Sequence, residues 1–190
     1  MSGNSDHKIY AQFNNETIRV YQAFRDEIAD EAIKLGKFGS HFRLGRMTWI
    51  KPSFLWMMYR SGWATKKWQE RILAIDIQRK GFDVILENLV LTSFNKEVYG
   101  SYGNWKKQLT ESEARCQWDP DRDIYGNPLN RRTIQLGLRG NIIRKYIKEW
   151  IVNITDITQY VIELRDAIKD GTFKKCMLPA EDEYLYSLAP

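Results

Sequence analysis

The chain has little cysteine, little histidine and no long apolar run. Of its 190 residues only Cys116 and Cys176 are cysteines, and no CxxC pair occurs. One distant pair of thiols makes no disulfide framework, so we expect a reducing, cytoplasmic location. No segment approaches the roughly 18 apolar residues that a membrane helix needs, and the polar first residues lack the apolar centre of a signal peptide. We therefore expect no membrane partner.

The same scarcity narrows the chemistry. His7 and His41 are the only histidines, and with the two cysteines they show no ligand spacing, so no metal is expected. No nucleophile motif such as GxSxG is present, which disfavours a triad hydrolase. Neither GxGxxG nor GxxxxGK[ST] occurs, so Rossmann and P-loop nucleotide sites are not indicated. Asp119, Asp121 and Asp123 leave a metal-dependent nuclease open, although such aspartates commonly bond their own backbone.

The charge balance is basic. Lysine and arginine number 29 against 24 acidic residues, which gives a net charge of +5. This excess favours an anionic ligand, a nucleotide or a nucleic acid. The basic residues are interspersed, however, and the nearest clusters are pairs such as Lys66-Lys67 and Arg131-Arg132.

Hydrophobic periodicity predicts the order of the elements. Alternation predicts a strand over residues 18–24, with a helix after it that ends at Gly36. A basic loop with a short strand near 47–50 leads to a helix over 53–61, which Gly62 ends. Further along we expect a buried strand over 72–77, a helix after Gly81, an irregular ligand loop over 92–130, a strand over 133–138, one helical stripe over 142–154, and a last helix that ends at Gly171.

These elements predict an α+β fold. The strands are few and separated, which favours a small split or mixed sheet flanked by helices over a regular doubly wound sheet. We expect a polar lead over residues 1–16, a single domain over 17–171 and a tail over 172–190.

The most informative stretch is residues 46–63, RMTWIKPSFLWMMYRSGW. It sets the cations Arg46, Lys51 and Arg60 among three tryptophans and several hydroxyl residues. Arginine forks grip phosphate and flat rings stack on bases, so the mixture predicts a site for a planar, phosphate-bearing ligand. The alternative is an aromatic-rich buried helix whose cations extend to water.

A polar strand face extends this hypothesis. Tyr21 alternates with apolar residues on the first strand, and Gln135 faces away from the apolar side of the late strand. Arg79 and Arg132 stand beside strands, so all four side chains are candidates to line a cleft. The alternative is a sheet with one solvated face.

Two resemblances follow from these motifs. The run over 46–63, together with QERILAIDI, QWDPDRD and RTIQLGL, resembles the family catalogued as domain of unknown function 4291, across about residues 16–180. That family implies no activity. The layout also resembles the ADP-ribosyltransferase superfamily: a first strand with an aromatic and a small residue, a hydroxyl-bearing strand leading into a helix, an apolar strand and a late strand.

The second resemblance implies an ADP-ribosyltransferase-like fold and function. Its implied cofactor is NAD, and its implied acceptor is a nucleic acid or another phosphate-bearing molecule. Gln135 stands where the superfamily usually has a catalytic glutamate, and a neutral amide supplies no charge there, so another acid such as Asp119 would have to substitute. The implied catalytic residues are Gln135, Tyr21 and Arg60. The implied ligand-binding residues are Gln22, Arg46, Thr48, Trp49, Lys51, Ser53, Arg79 and Arg132.

Two functions of other classes stay open. A non-catalytic module that binds RNA or single-stranded DNA would use the same cations and rings without breaking a bond. A protein-interaction domain would use the tryptophans as an interface hot spot.

Overall fold

The computed structural model describes residues 7–186. Residues 1–6 of the predicted lead and 187–190 of the predicted tail lie outside them. The strands are β1 Tyr10–Ala11, β2 Thr17–Phe24, β3 Thr48–Ile50, β4 Arg71–Gln78, β5 Leu89–Leu91, β6 Ala114–Arg122, β7 Pro128–Leu138, β8 Ile151–Asp156 and β9 Asp182–Glu183. The α-helices are α1 Asp26–Leu35, α2 Phe54–Ser61, α3 Arg79–Glu87, α4 Lys96–Tyr99, α5 Tyr102–Glu111, α6 Gly140–Lys145 and α7 Thr158–Lys169.

Strand β4 is the centre of the first sheet, whose order is β2-β4-β8 with antiparallel neighbours. Its sequence is apolar on both sides, and both sides are buried. Leu73 and Ile75 face one core cluster, which also contains residues of α1 and α3. Ile72 and Ala74 face the other, which α2 and α7 cover. The predicted central strand is confirmed.

A second sheet has the order β3-β7-β6-β5, with antiparallel pairs except for the parallel pair β5–β6. The two sheets meet where Tyr21 of β2 pairs with Lys51, just past the end of β3. The Tyr21 amide donates to the Lys51 carbonyl at 2.7 Å, and the Lys51 amide donates back at 3.2 Å. This bridge places the start of α2 beside the first sheet.

The prediction of an irregular loop over 92–130 is wrong. That segment contains α4, α5, β6 and the first part of β7. Strand β6 could not be predicted from its sequence, because it contains charged residues and a proline, and Asp119 and Pro120 have low strand propensity. Long pairing with β7, from Ala114 opposite Leu138 to Arg122 opposite Pro128, outweighs that propensity.

The prediction of one helical stripe over 142–154 is wrong in its second half. Helix α6 passes into a π-helical turn, Tyr146–Trp150, and the chain then becomes strand β8. Residues 151–156 include Ile151, Val152 and Ile154, whose branched side chains favour a strand. Pairing along the free edge of β4 satisfies their backbone groups.

The ends of the described chain lie together. Strand β9 pairs with β1, and the Lys8 ammonium contacts Glu183 at 2.8 Å. Tyr184 is buried, and the Glu181 carboxyl group accepts a hydrogen bond from the Phe54 amide at the start of α2, at 2.6 Å. The segment after α7 therefore packs against the domain as far as residue 184.

The architecture is α+β with small mixed sheets flanked by helices, as the sequence predicts. Within residues 7–186, every helix is too short or too polar to cross a membrane.

Candidate functional site

A basic cavity of about 540 Å³ lies between the end of β2, the loop before β3 and the end of α2. Among the described residues that line it, none is an aspartate or glutamate. Its basic lining side chains are Arg25, His41, Arg43, Arg46, Lys51, Arg60 and Lys67. A cavity with one sign of charge on its wall concentrates ligands of the opposite sign.

Helix α2 positions Arg60. The helix begins at a Ser53 cap, whose hydroxyl accepts from the Trp56 amide, and ends at Gly62 with a left-handed φ of 59°. Met57 and Arg60 are three residues apart on one helical face, and both line the cavity. Arg60 also stands in the last turn, where a cation interacts favourably with the helix dipole.

A hydrogen-bond network holds β3 against β2 at the cavity wall. The Gln22 amide nitrogen donates to the Thr48 hydroxyl at 2.9 Å and to the Trp49 carbonyl at 3.4 Å. The buried Tyr146 hydroxyl donates to the Gln22 carbonyl oxygen at 2.9 Å. Gln22 was predicted to bond a ligand, but both ends of its amide already have partners in the fold.

Lys51 is the most deeply placed cation of the cavity. Its exposed fraction is 6%, and its ammonium contacts the Trp49 carbonyl oxygen at 3.3 Å. Within the described chain no carboxylate lies within 4 Å of it. Burial lowers the pKa of Lys51 to about 7, with a further lowering from Arg60, while Asp119 acts in the opposite direction. A buried amine of this kind loses its proton far more easily than a surface lysine.

Most of the other cations also lack an acidic partner. Arg25 pairs with Glu27 at 3.2 Å, and the His41 ring lies 3.3 Å from Glu31. Among residues 7–186, no ion pair involves the remaining lining cations, which are Arg43, Arg46, Lys51, Arg60 and Lys67. The exposed Arg43, Arg46, Arg60 and Lys67 carry positive charges that face one cavity without a carboxylate, so they repel each other until an anion is bound.

Aromatic rings form part of the same wall. Phe24, Phe42, Trp49 and Trp68 line the cavity. Trp68 is 59% exposed at its edge, and the Lys67 ammonium lies 5.1 Å from its ring centroid. Phe24 and Phe42 are buried, Trp49 is half-buried and Trp68 is exposed, so the two tryptophans beside the cations suit a ligand with both a flat ring and negative charge.

Gly137 of β7 makes room for two lining side chains. A Cβ at this position would lie 2.6 Å from the Met47 sulfur and 3.0 Å from the Trp49 ring. Any larger residue would push Met47 and Trp49 away from β7, so the glycine fixes the shape of this wall.

Six of the predicted site residues come together here. They are Gln22, Arg46, Thr48, Trp49, Lys51 and Arg60. Residues 46–63 combine features of the two alternatives, because the apolar face of α2 is core while Arg60 reaches the cavity; whether they bind a ligand stays a prediction. Of the three tryptophans in this stretch only Trp49 lines the cavity. Trp56 stacks on Tyr59 with a centroid separation of 5.3 Å.

Tyr21 and Ser53 lie next to the cavity but do not line it. The Tyr21 ring packs edge-on against Phe54 at 5.5 Å in the second core cluster. Its hydroxyl is buried without a hydrogen-bond partner among the described residues, and burial raises the pKa of Tyr21. Ser53 is buried and serves as the cap of α2.

Gln135, Arg79 and Arg132 lie outside the lining. The Gln135 amide donates to the Asp119 carboxylate at 2.7 Å. The Arg79 guanidinium lies 5.0 Å from the Tyr184 ring. Arg132 lines a separate depression of about 770 Å³ beside β6.

Sequence reasoning missed several lining residues. Arg43 and His41 belong to a segment that was recognised only as a basic loop. Lys67 belongs to a pair of lysines too short to count as a cluster, and Trp68 follows that pair. Their position in the sequence could have indicated them, because one segment precedes β3 and Lys51 and the other follows α2, which holds Arg60.

Comparison with known protein families gives a match over nearly the whole chain. A family model described as Domain of unknown function (DUF4291) matches residues 8–184, which confirms the resemblance of the sequence motifs. Comparison with curated proteins found no match. Because the family match spans nearly the whole chain, including every residue that lines the basic cavity, the protein belongs to this family of domains of unknown function.

Proposed function

We propose that the basic cavity binds a nucleotide or another ligand that carries phosphate and a flat ring. The observation that supports this proposal is the set of lining cations with no acidic partner among the described residues. Arginine forks bind phosphate oxygens in pairs, and the half-buried Trp49 and the exposed Trp68 offer rings for stacking. A volume of about 540 Å³ falls in the range of small-molecule sites.

The proposed reaction is an ADP-ribosyltransferase-like transfer from NAD to a nucleic-acid or phosphate-bearing acceptor. The resemblance of the layout to that superfamily supports it, as does the bridge that joins the two sheets beside the cavity at Tyr21 and Lys51. The carboxylate this chemistry needs is proposed to be Asp119. Asp119 lies near enough to influence Lys51, and amide groups of Gln117 and Gln135 hold it at 2.9 and 2.7 Å.

Calorimetric titration with AMP, ATP and NAD tests the binding proposal. We expect at least one of these ligands to bind, and we expect Arg60→Lys to weaken its affinity while the fold stays intact. Lysine keeps the charge but loses the planar fork, which costs on the order of 1–2 kcal/mol, about a tenfold change. The matched control is Lys107→Arg on the exposed face of α5, outside the cavity.

The control variant should bind like the parent. Equal affinity of Arg60→Lys and the parent for the best ligand would contradict a paired phosphate contact. Absence of binding by all three nucleotides would contradict the nucleotide proposal itself.

Nicotinamide release tests the transferase proposal separately. Chromatography of NAD incubated with the parent, Asp119→Asn and Gln135→Glu should show release by the parent and a loss of roughly tenfold or more in Asp119→Asn, because the carboxylate would stabilise the developing positive charge. Gln135→Glu replaces the amide that donates to Asp119 with a second carboxylate, so the two acids would share a proton and the rate should fall as well. If none of the three forms releases nicotinamide, the transferase proposal is contradicted, and the proposal of ligand binding is unaffected.

A second candidate function is the binding of RNA or single-stranded DNA without catalysis. The exposed Trp68 at the cavity edge, beside Lys67, favours it. Stacking of one base on a ring contributes about 1–3 kcal/mol. Fluorescence anisotropy with a short labelled RNA should therefore show at least fivefold weaker binding for Trp68→Ala, and equal binding would count against this candidate.

A further inference from the structure

Lys51 differs from the other cations of the cavity in its surroundings. Arg43, Arg46, Arg60 and Lys67 are exposed, whereas Lys51 is buried on the wall between β3 and α2. Water therefore cannot solvate its ammonium well, and its one hydrogen bond is a long contact with a backbone carbonyl. Charge on a group in this position is costly unless a negative partner is supplied.

Among the charged groups around Lys51, those that disfavour a positive charge on its amine outnumber those that favour it. Arg60 of α2 disfavours its charge, and Asp119 of β6 favours it from a distance beyond a direct ion pair. The bridging strand β2 contributes the Tyr21 backbone, and Gln22 on the same strand is neutral. The rest of the cavity adds only further positive or titratable basic groups, which are Arg25, His41, Arg43, Arg46 and Lys67.

We propose that Lys51 takes up a proton when a ligand brings two negative charges into the cavity, so that the site selects doubly charged phosphate groups over singly charged ones. This inference rests on the proposed binding of a phosphate-bearing ligand and names its class. The exposed arginines can balance a first negative charge without any change at Lys51. The second negative charge is what makes protonation of the buried amine favourable.

The ligands that fit are a terminal phosphate monoester or a pyrophosphate bridge, which each carry about two negative charges at neutral pH. One phosphodiester of a nucleic-acid backbone carries a single charge and would leave Lys51 without its counter-ion. Proton uptake also makes binding dependent on pH. Affinity for a dianion should fall by up to roughly tenfold per pH unit as the pH rises above neutrality, because one proton must be bound together with the ligand.

The test is a carbon-13 NMR titration of the lysine side chains in the whole chain, with sodium sulfate as the probe. Sulfate stays a dianion over the whole range, so only the protein titrates. Sodium chloride at equal ionic strength is the matched control. We expect one lysine resonance with a midpoint near neutrality in chloride, raised by one pH unit or more in sulfate, and assigned to Lys51 by its loss in Lys51→Arg or Lys51→Met.

Two results would overturn the proposal. If every lysine resonance in the parent titrates near the ordinary value of about 10.4, Lys51 holds its proton in the empty cavity and no variant is needed to decide. If the Lys51 resonance titrates near neutral pH but its midpoint is the same in sulfate and in chloride, protonation of the amine does not depend on the binding of a dianion. Both results are independent of nucleotide binding, so a failure here is distinct from a failure of the calorimetric titrations.

Discussion

At the scale of single residues, Gln22 and Tyr146 connect the cavity wall to the core. Both are buried, and the Tyr146 hydroxyl is the donor to the Gln22 carbonyl oxygen. A buried acceptor that loses its donor keeps the full cost of leaving water. The network therefore fixes β3 through the bond from Gln22 to Thr48.

Tyr146→Phe removes that donor without changing the ring. We expect it to lower the free energy of unfolding by about 1–3 kcal/mol, because the Gln22 oxygen is left unpaired. Urea denaturation followed by tryptophan fluorescence measures the loss. Tyr102→Phe is the control, since Tyr102 is 59% exposed. A shift of the same size in both variants would show that the Tyr146 hydroxyl has no special partner.

At the residue scale, the sequence pointed to several side chains that the structure brings together, although their role in binding stays a prediction. Arg46, Lys51 and Arg60 were recognisable because cations are unexpected among tryptophans, and all three line one cavity. Gln135 and Arg132 were not separable from them. Both lie in β7, and their surroundings depend on the pairing of β7 with β6, which sequence alternation does not reveal.

At the scale of elements, a glycine in α3 allows that helix to pack closely against the Trp150 ring. Gly81 lies in α3 against the Trp150 ring, and a Cβ there would lie 2.6 Å from the ring atom Cδ2. Gly103 lies in α5, where a Cβ would meet nothing within 4 Å among the described atoms. Close packing against Trp150 therefore requires a glycine at position 81, whereas no contact with the described atoms requires one at position 103.

Alanine at the two positions should act in opposite directions. Gly81→Ala forces α3 away from Trp150, and overpacking of this kind lowers stability by about 1–3 kcal/mol. Gly103→Ala should raise stability by about 0.5–1 kcal/mol, because alanine loses less backbone entropy in a helix. Thermal unfolding of both variants checks this. A stabilised Gly81→Ala would mean that α3 is free to move outward.

The elements that sequence predicted correctly are those whose own pattern agrees with their tertiary contacts. Strand β4 and helix α2 are examples, with an apolar run and a capped amphipathic stretch. Strand β8 fails this condition. Ile151 and Ile154 fit the helical stripe of α6 equally well, and the free edge of β4 decides between helix and strand.

At the scale of the whole molecule, the segment after α7 is tied to the start of α2 through Glu181. Burial raises the pKa of Glu181 to about 8; the Phe54 amide opposes this, and Asp121 adds to it. The unfolded chain has the ordinary value of about 4.5. Between about pH 4.5 and about pH 8, Glu181 is protonated in the folded chain but ionised in the unfolded chain. The contribution of Glu181 to the free energy of unfolding is therefore lost as the pH rises through this range.

Glu181→Gln should remove this loss. The amide oxygen of glutamine can still accept from the Phe54 amide, but it carries no charge to bury. We expect the free energy of unfolding of the parent to fall relative to the variant between about pH 5 and about pH 8, measured by urea titration at each pH. Glu111→Gln on α5 is the exposed control and should follow the parent. Parallel curves for parent and Glu181→Gln would contradict a Glu181 that keeps its proton in the folded chain at neutral pH.

The central claim is that phosphate-bearing nucleotides bind in the basic cavity, and the methionines report on it directly. Met47 and Met57 line the cavity, whereas Met177 packs beside α7. Methionine-methyl NMR during titration with AMP, ATP and NAD should show saturable shifts of the Met47 and Met57 signals with the ligand that binds, and an unmoved Met177. Shifts confined to Met177, or none with any of the three nucleotides, would contradict the claim.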